Sequence, residues 1–159
     1  MNYEIVKLKE KTVVGIAART NNYDSNMSTV IGELWNRFYS ENIYDSISNK
    51  KNDKALGIYT DYEGDEKDNY TVLVACEVNS ASVSVNNNSL TVCKIPEGNY
   101  AKFVAKGDMY KAVADAWQKI WQMNLQRTFI YDFEEYQNAD MDNAEIHIYI
   151  GIQNNEEKE

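Results

Sequence analysis

Apolar residues recur at helical spacing in two separate segments of the chain. From Met27 and again from Met109 they return at steps of three and four residues, which is the periodicity of an amphipathic helix. A tryptophan stands eight residues after each methionine, at Trp35 and Trp117. The pattern therefore predicts two helices in equivalent places, with Asp108 as the N-cap of the second.

Strand-like runs flank each predicted helix in the same order. An extended stretch that we interpret as hairpin-like precedes each helix, and two runs with alternating apolar residues follow it. The stretches before the helices are residues 3–19 and 91–106, and the runs after them are residues 55–62 and 70–78, then 128–136 and 144–152.

The order strand, helix, strand, strand thus occurs twice, which predicts an internal duplication. Because one helix covers a half-sheet poorly, we expect an α+β fold in which two halves, residues 3–78 and 91–152, form one antiparallel sheet with both main helices on one face. Residues 79–90 are the expected linker, and residues 40–54 are an expected polar insertion. Residues 1–159 are expected to form a single domain, with a pseudo-two-fold groove between the helices.

Charge and aromatic content indicate the kind of partner. The chain has 16 Lys and Arg against 25 Asp and Glu, a net charge of −9, and its cations do not cluster, so direct nucleic-acid binding is not expected. Twelve tyrosines and three tryptophans in 159 residues supply many amphipathic rings. Negative charge combined with such rings suits a cationic aromatic guest.

Several other classes of protein are not expected. No window approaches the roughly 18 to 20 apolar residues of a membrane span, and the first eleven residues lack the apolar core of a signal peptide, so we expect no membrane association and a cytoplasmic location. Two cysteines and one histidine cannot supply the usual four-ligand zinc site. No nucleotide-binding or nucleophile motif is present, so we expect no metal, no cofactor and no catalytic residue.

Two runs in the second half carry a family resemblance. They extend from Phe133 to Tyr136, with the sequence Phe-Glu-Glu-Tyr, and from Ile148 to Ile152, with the sequence Ile-Tyr-Ile-Gly-Ile. With the duplicated order, they resemble the GyrI-like effector-binding family, the ligand-binding module also found at the end of AraC-type and MerR-type multidrug-responsive transcription activators. The resemblance extends over residues 3–152 and implies a stand-alone small-molecule-binding protein.

The resemblance also implies a role for one carboxylate. In the family a glutamate near a tyrosine, here Glu134 with Tyr136, lies at the central pocket and neutralises lipophilic cations. Alternation puts Glu135 on the opposite, more apolar face, so Glu135 replaces Glu134 as the anchor if that face is the pocket floor. For Glu134 the alternative is an exposed strand carboxylate.

Aromatic side chains are predicted to line the groove. Tyr149 has Gly151 next to it on the same face, which leaves space beside the ring, and its alternative role is cross-strand packing. Tyr59 is expected to hold in the first half the place of Tyr131 or Phe133 in the second, with a core role as the alternative. The helix tryptophans are candidates for walls or rim, and also for the core. The predicted ligand-binding residues are Glu134, Glu135, Tyr59, Tyr136, Tyr149, Trp35, Trp117 and Trp121.

The function predicted from these features is the binding of lipophilic, cationic small molecules, in sensing or sequestration. A rival from another class is a hydrolase of cyclopropane-bearing electrophiles, in which Glu134 activates water and a tyrosine hydroxyl protonates the leaving group. A third reading is an interaction between the acidic surface and a protein partner such as gyrase or a transcription regulator, which salt would weaken. Binding without catalysis is the reading we favour.

Overall fold

The computed structural model describes residues 2–21, 27–47, 49–64, 68–79 and 90–153. Within these residues eight strands form one antiparallel sheet, accompanied by three helices, which confirms the predicted α+β fold. Most of the predicted linker, residues 80–89, lies outside the described residues.

The helices and strands follow the predicted order. Both main helices begin at the predicted methionines, and the Asp108 side chain caps the second by accepting a hydrogen bond from the backbone N–H of Lys111 at 3.1 Å. None of the helices in the described part of the chain is long and apolar enough to span a bilayer. The first half contains β1 (Glu4–Leu8), β2 (Lys11–Thr20), α1 (Met27–Ser40), α2 (Ile43–Ser46), β3 (Lys50–Thr60) and β4 (Tyr70–Val78); the second contains β5 (Thr91–Ile95), β6 (Gly98–Gly107), α3 (Met109–Gln122), β7 (Arg127–Tyr136) and β8 (Ala144–Ile152).

The segment predicted as a polar insertion, residues 40–54, is more structured than expected. It contains α2 and the first residues of β3. Ile43 and Ile47 are buried, at 5% and 4% exposure, and their spacing of four residues holds this segment against the α1 side of the sheet. The polar composition concealed these two anchoring residues.

The sheet has a pseudo-two-fold axis between β3 and β7. Its strand order is β1-β6-β8-β7-β3-β4-β2-β5, and exchanging each strand for its counterpart in the other half reverses the order without changing any neighbour. The register agrees. Ala55 pairs with Cys76, and the residues at the same places in the second half, Asp132 and Ile150, also pair.

The two halves exchange their first strands. β1 pairs with β6, and β5 pairs with β2, so the expectation that each half opens with a hairpin is wrong. Residues 9–10 alone join β1 to β2, so the facing ends of these strands lie at most about 11 Å apart. The same strands are six places apart in the sheet, roughly 29 Å if it were flat. The sheet must therefore curl, and the exchange cannot be read from sequence because local residues carry no information about which strands pair.

Each face of the curled sheet has its own core. On the helix face, Leu34 and Phe38 of α1 pack on the first half, and Ala116 and Ile120 of α3 pack on the second. The opposite face encloses a third apolar cluster that includes Ile58, Leu73 and Phe133. Both helices thus lie on one face, as predicted, and β3 and β7 run between the strands that the helices cover.

Candidate functional site

Glu134 lies on the pseudo-two-fold axis. It pairs in register with Gly57 on the neighbouring strand β3. Each of the two is seven residues beyond the first residue of its strand, Lys50 or Arg127, so they occupy equivalent positions in the two halves. Residues that are both equivalent and paired must lie at the axis. The site therefore has one carboxylate at its centre, with a glycine where symmetry would put a second.

Within the described part of the chain, three uncharged side chains donate hydrogen bonds to this carboxylate. The Tyr59 hydroxyl and the Trp117 indole Nε1 donate to Oε2 of Glu134 at 3.0 and 2.6 Å. The Tyr136 hydroxyl donates to Oε1 at 2.8 Å. Tyr59 and Tyr136 are each nine residues beyond the start of their strands, so a symmetric pair of tyrosines holds the two oxygens.

The position of Tyr59 corrects the sequence prediction. Its counterpart is Tyr136, not Tyr131 or Phe133, which lie on the opposite face. The runs predicted from the sequence start at residues 55 and 128, which are five residues and one residue beyond the starts of β3 and β7, so counting from them displaces the match by four residues.

The helix tryptophans cross the axis. Trp35 packs edge-on against Tyr136, with ring centroids 5.0 Å apart, and Trp117 packs edge-on against Tyr59 at 5.4 Å. Each helix therefore places its tryptophan on the tyrosine of the other half. These four rings cover Glu134, which is 1% exposed.

The electrostatics of Glu134 follow from this enclosure. Among the described residues no Lys, Arg or His approaches its carboxylate within 4 Å. Burial raises the pKa of Glu134 above its usual value, although the three hydrogen bonds oppose that shift. Burial and the neighbouring carboxylate raise the pKa values of Tyr59 and Tyr136 well above the ordinary value, so both phenols remain protonated donors.

Gly57 leaves the space that the carboxylate occupies. A Cβ at this position would lie 2.9 Å from Oε1 of Glu134 and 3.3 Å from Cζ2 of Trp35. Gly57 is not among the site residues predicted from the sequence. A glycine inside a strand-like run is the signal that could have found it, because such glycines often mark a close approach.

A second buried carboxylate of β7, Asp132, lies two residues before Glu134 and on the same face of the sheet. It is also absent from the site residues predicted from the sequence. Asp132 is fully buried, and its Oδ2 accepts hydrogen bonds from Arg127 at 2.7 Å and from the Tyr62 hydroxyl at 2.5 Å. Its Oδ1 accepts from the backbone N–H of Gly151 at 2.9 Å. Asp132 therefore has a cationic partner within the protein.

The other predicted site residues fall into two groups. Glu135 and Tyr149 lie on the face away from the helices, where the Tyr149 ring stacks on Phe133 at 4.7 Å and the Gln137 amide donates to Glu135 at 2.8 Å. Trp121 lies on the helix side and approaches the site through Trp117, at 6.3 Å between rings. The structure thus brings Glu134, Tyr59, Tyr136, Trp35 and Trp117 together, and it separates Glu135 and Tyr149 from them.

A duplicated, curled antiparallel sheet with two main helices on one face is the GyrI-like effector-binding fold, as the resemblance implied. The chain belongs to the Cass2 family of integron-associated effector-binding proteins, whose family model matches residues 4–152. No curated protein matches the chain at a significant level.

Solved structures of similar fold extend this comparison. The integron cassette protein VCH_CASS2 from the mobile metagenome of Vibrio cholerae is 27% identical, with 95% of each chain covered and a TM-score of 0.73. SAV2435, solved bound to tetraphenylphosphonium, is 23% identical, with 99% of this chain and 97% of that chain covered and a TM-score of 0.77. The C-terminal domain of EcmrR is 14% identical, with 96% and 99% covered and a TM-score of 0.58.

Proposed function

We propose that this protein binds lipophilic cations and that Glu134 is the charge that holds them. The observation that carries the proposal is the contrast between two buried carboxylates of β7. Asp132 has Arg127 at 2.7 Å, whereas Glu134 receives uncharged donors. A buried charge without a counter-ion is costly, and a cationic guest supplies the missing one.

The surroundings of Glu134 favour a lipophilic cation with delocalised charge over a small hydrated one. Four aromatic rings enclose the carboxylate, and ring faces attract cations that carry little bound water. Protein donors already occupy much of the hydrogen-bonding capacity of the carboxylate, so a guest gains little from N–H groups of its own. SAV2435, which shares the fold, was solved with such a cation, and this supports the proposal.

A guest must open the site before it can bind. The rings of Trp35, Trp117, Tyr59 and Tyr136 cover Glu134 in this structure. All four residues are partly exposed, so solvent reaches each of them. Binding therefore includes a rearrangement of rings, which slows association compared with binding to an open cleft.

Titration of the protein with methyltriphenylphosphonium tests the proposal. Glu134→Gln should weaken binding at least ~10-fold, because loss of the buried charge removes about 1.4 kcal/mol or more. Glu135→Gln is the matched control, because Glu135 is next to Glu134 in sequence but lies on the opposite face of the sheet. This variant should bind the cation as wild type does. Triphenylphosphine oxide, a neutral molecule of similar shape, should not distinguish wild type from Glu134→Gln. Equal affinity of both proteins for the cation contradicts the proposal.

We propose further that binding serves to sense or to sequester such compounds in the cytoplasm. The family description as effector-binding proteins supports a role in sensing. Affinity capture with and without methyltriphenylphosphonium distinguishes the two roles. A regulator retained only with the guest indicates sensing, and unchanged capture indicates sequestration.

A further inference from the structure

We infer that Gly57 determines which guests the site accepts: its bare backbone is the floor on which the charged centre of the guest lies, in the volume that the Trp35 ring fills in the closed site. This inference rests on the proposed function and names the side from which the cation approaches Glu134.

The two oxygens of the carboxylate differ in how fully they are used. Among the residues that the structure describes, Oε2 of Glu134 accepts from both Tyr59 and Trp117, whereas Oε1 accepts from Tyr136 alone. Each carboxylate oxygen can accept about two hydrogen bonds, so the free capacity lies on Oε1. Oε1 is also the oxygen that faces Gly57, because it lies 2.9 Å from the position of a Cβ there and the carboxyl carbon lies 3.8 Å away.

The space above Gly57 is occupied by a ring that is held less firmly than its symmetric counterpart. Trp117 donates a 2.6 Å hydrogen bond to Glu134, whereas the contacts of Trp35 within the site are ring contacts. Hydrogen bonds to charged groups are worth about 1.5–3 kcal/mol, so Trp117 stays in place more readily than Trp35 does.

Trp35 also has a direction in which to move. Its ring stacks loosely on Tyr39, with centroids 6.5 Å apart, and Tyr39 is 54% exposed. We infer that the exposed Tyr39 ring yields into solvent and that Trp35 rotates after it, away from Gly57. The vacated volume then touches Oε1 of Glu134 on one side and the glycine backbone beneath, with no side chain between the guest and the sheet.

A single methyl group tests this arrangement. Gly57→Ala should weaken methyltriphenylphosphonium binding at least ~10-fold, because the new Cβ holds the charged centre away from Glu134. Gly32→Ala is the matched control, since Gly32 lies on α1 with nothing within 4 Å of an added Cβ, and it should bind as wild type does. Wild-type affinity in Gly57→Ala overturns the inference.

Two cations of different shape distinguish direct contact between Gly57 and the guest from a purely structural role of Gly57. N-methylacridinium is flat and fits a thinner gap than a tetrahedral phosphonium, so Gly57→Ala should weaken the acridinium several-fold less. Equal losses for both cations contradict the inference. If wild type binds neither cation, or if Glu134→Gln binds as wild type does, the proposed function fails. If wild type binds the cations, Glu134→Gln weakens that binding and Gly57→Ala leaves it unchanged, only the inference about Gly57 fails.

A structural measurement covers the case in which Gly57→Ala does not fold. Wild-type crystals grown with tetraphenylarsonium locate the arsenic atom by its anomalous scattering. The peak should lie above Gly57 on the Oε1 side of Glu134, with Trp35 displaced and Trp117 in place. A peak on the Oε2 side, or a displaced Trp117 with Trp35 unmoved, overturns the inference.

Discussion

Tyr59 and Tyr136 donate hydrogen bonds to opposite oxygens of one carboxylate from equivalent positions in the two halves of the sheet. A carboxylate has a two-fold axis of its own, through its carbon–carbon bond. Each of the duplicated tyrosines can therefore hold one of two chemically equivalent oxygens, although only one half supplies the carboxylate.

Replacement of either tyrosine by phenylalanine should destabilise the protein at pH 7. Tyr59→Phe and Tyr136→Phe each remove one donor from a buried charge, so the free energy of unfolding should fall by about 1–3 kcal/mol in urea denaturation. The loss should shrink at acidic pH, where Glu134 is protonated. Tyr110→Phe, at a residue 72% exposed, is the control and should change little. A loss that does not vary with pH would mean that the hydroxyls act on something other than the charge.

The raised pKa of Glu134 makes stability depend on pH with a defined sign. Between its ordinary value of 4.5 and its raised value, the folded protein binds more protons than the unfolded chain does, so the free energy of unfolding contributed by Glu134 falls as pH rises through this window. The free energy of unfolding is measured as a function of pH for wild type and for Glu134→Gln. Subtracting the second profile from the first isolates the contribution of Glu134. A difference that rises with pH contradicts the raised pKa.

Binding of a cation should show the opposite dependence on pH. The ionised carboxylate binds the guest, so the stabilisation that methyltriphenylphosphonium gives wild type should increase as pH rises through the pKa of Glu134. Thermal unfolding with and without the guest measures it. Glu134→Gln should show no such increase, and an increase of the same size in that variant would assign the effect to another group.

Removal of a buried charge at pH 7 should have a large effect at the Asp132–Arg127 pair and a small one at Glu134. Arg127→Met leaves Asp132 buried and unpaired, and we expect a loss of about 3–5 kcal/mol that Asp132→Asn in the same protein largely restores. Glu134→Gln removes a charge that has no counter-ion among the described residues, and we expect a change within about 1 kcal/mol. Chemical denaturation of the three variants measures these effects. A large loss in Glu134→Gln would show that its negative charge stabilises the fold.

Gly15 should be intolerant of any side chain. A Cβ at Gly15 would lie 1.9 Å from the backbone oxygen of Val74 and 2.7 Å from the Cβ of Ala75, and neither can move without breaking the β2–β4 pairing. We expect Gly15→Ala to lower the free energy of unfolding by about 3 kcal/mol or more. Gly98→Ala, with nothing within 4 Å of its added Cβ, is the control. Equal free energies of unfolding for Gly15→Ala and Gly98→Ala would mean that β2 and β4 separate easily at this point.

The helices and the duplication were predictable because their signals are local. Met27 and Met109 open two periodic segments, and Trp35 and Trp117 fall at the same place in each. Helical periodicity depends on neighbours three and four residues away, so it can be read directly from the sequence.

The pairing of strands and the inside of the site were not predictable in the same way. The partnership of Gly57 with Glu134 is set by the register between strands more than seventy residues apart, and nothing near either residue specifies it. The pairing of Arg127 with Asp132 arises at a bulge where Phe129 has a φ of 54°. Alternation alone does not place a bulge.

The exchange of β1 and β5 makes the molecule a covalently joined version of a strand-swapped dimer. In a true homodimer of one half, identical sequence would force the same residue onto both sides of the axis, giving either two glutamates that repel each other or two glycines with no charge. Joining the halves in one chain allowed those two positions to diverge into Glu134 and Gly57. The fused chain can therefore carry a carboxylate on one side of the axis and open space on the other, an arrangement that two identical chains related by that axis do not have.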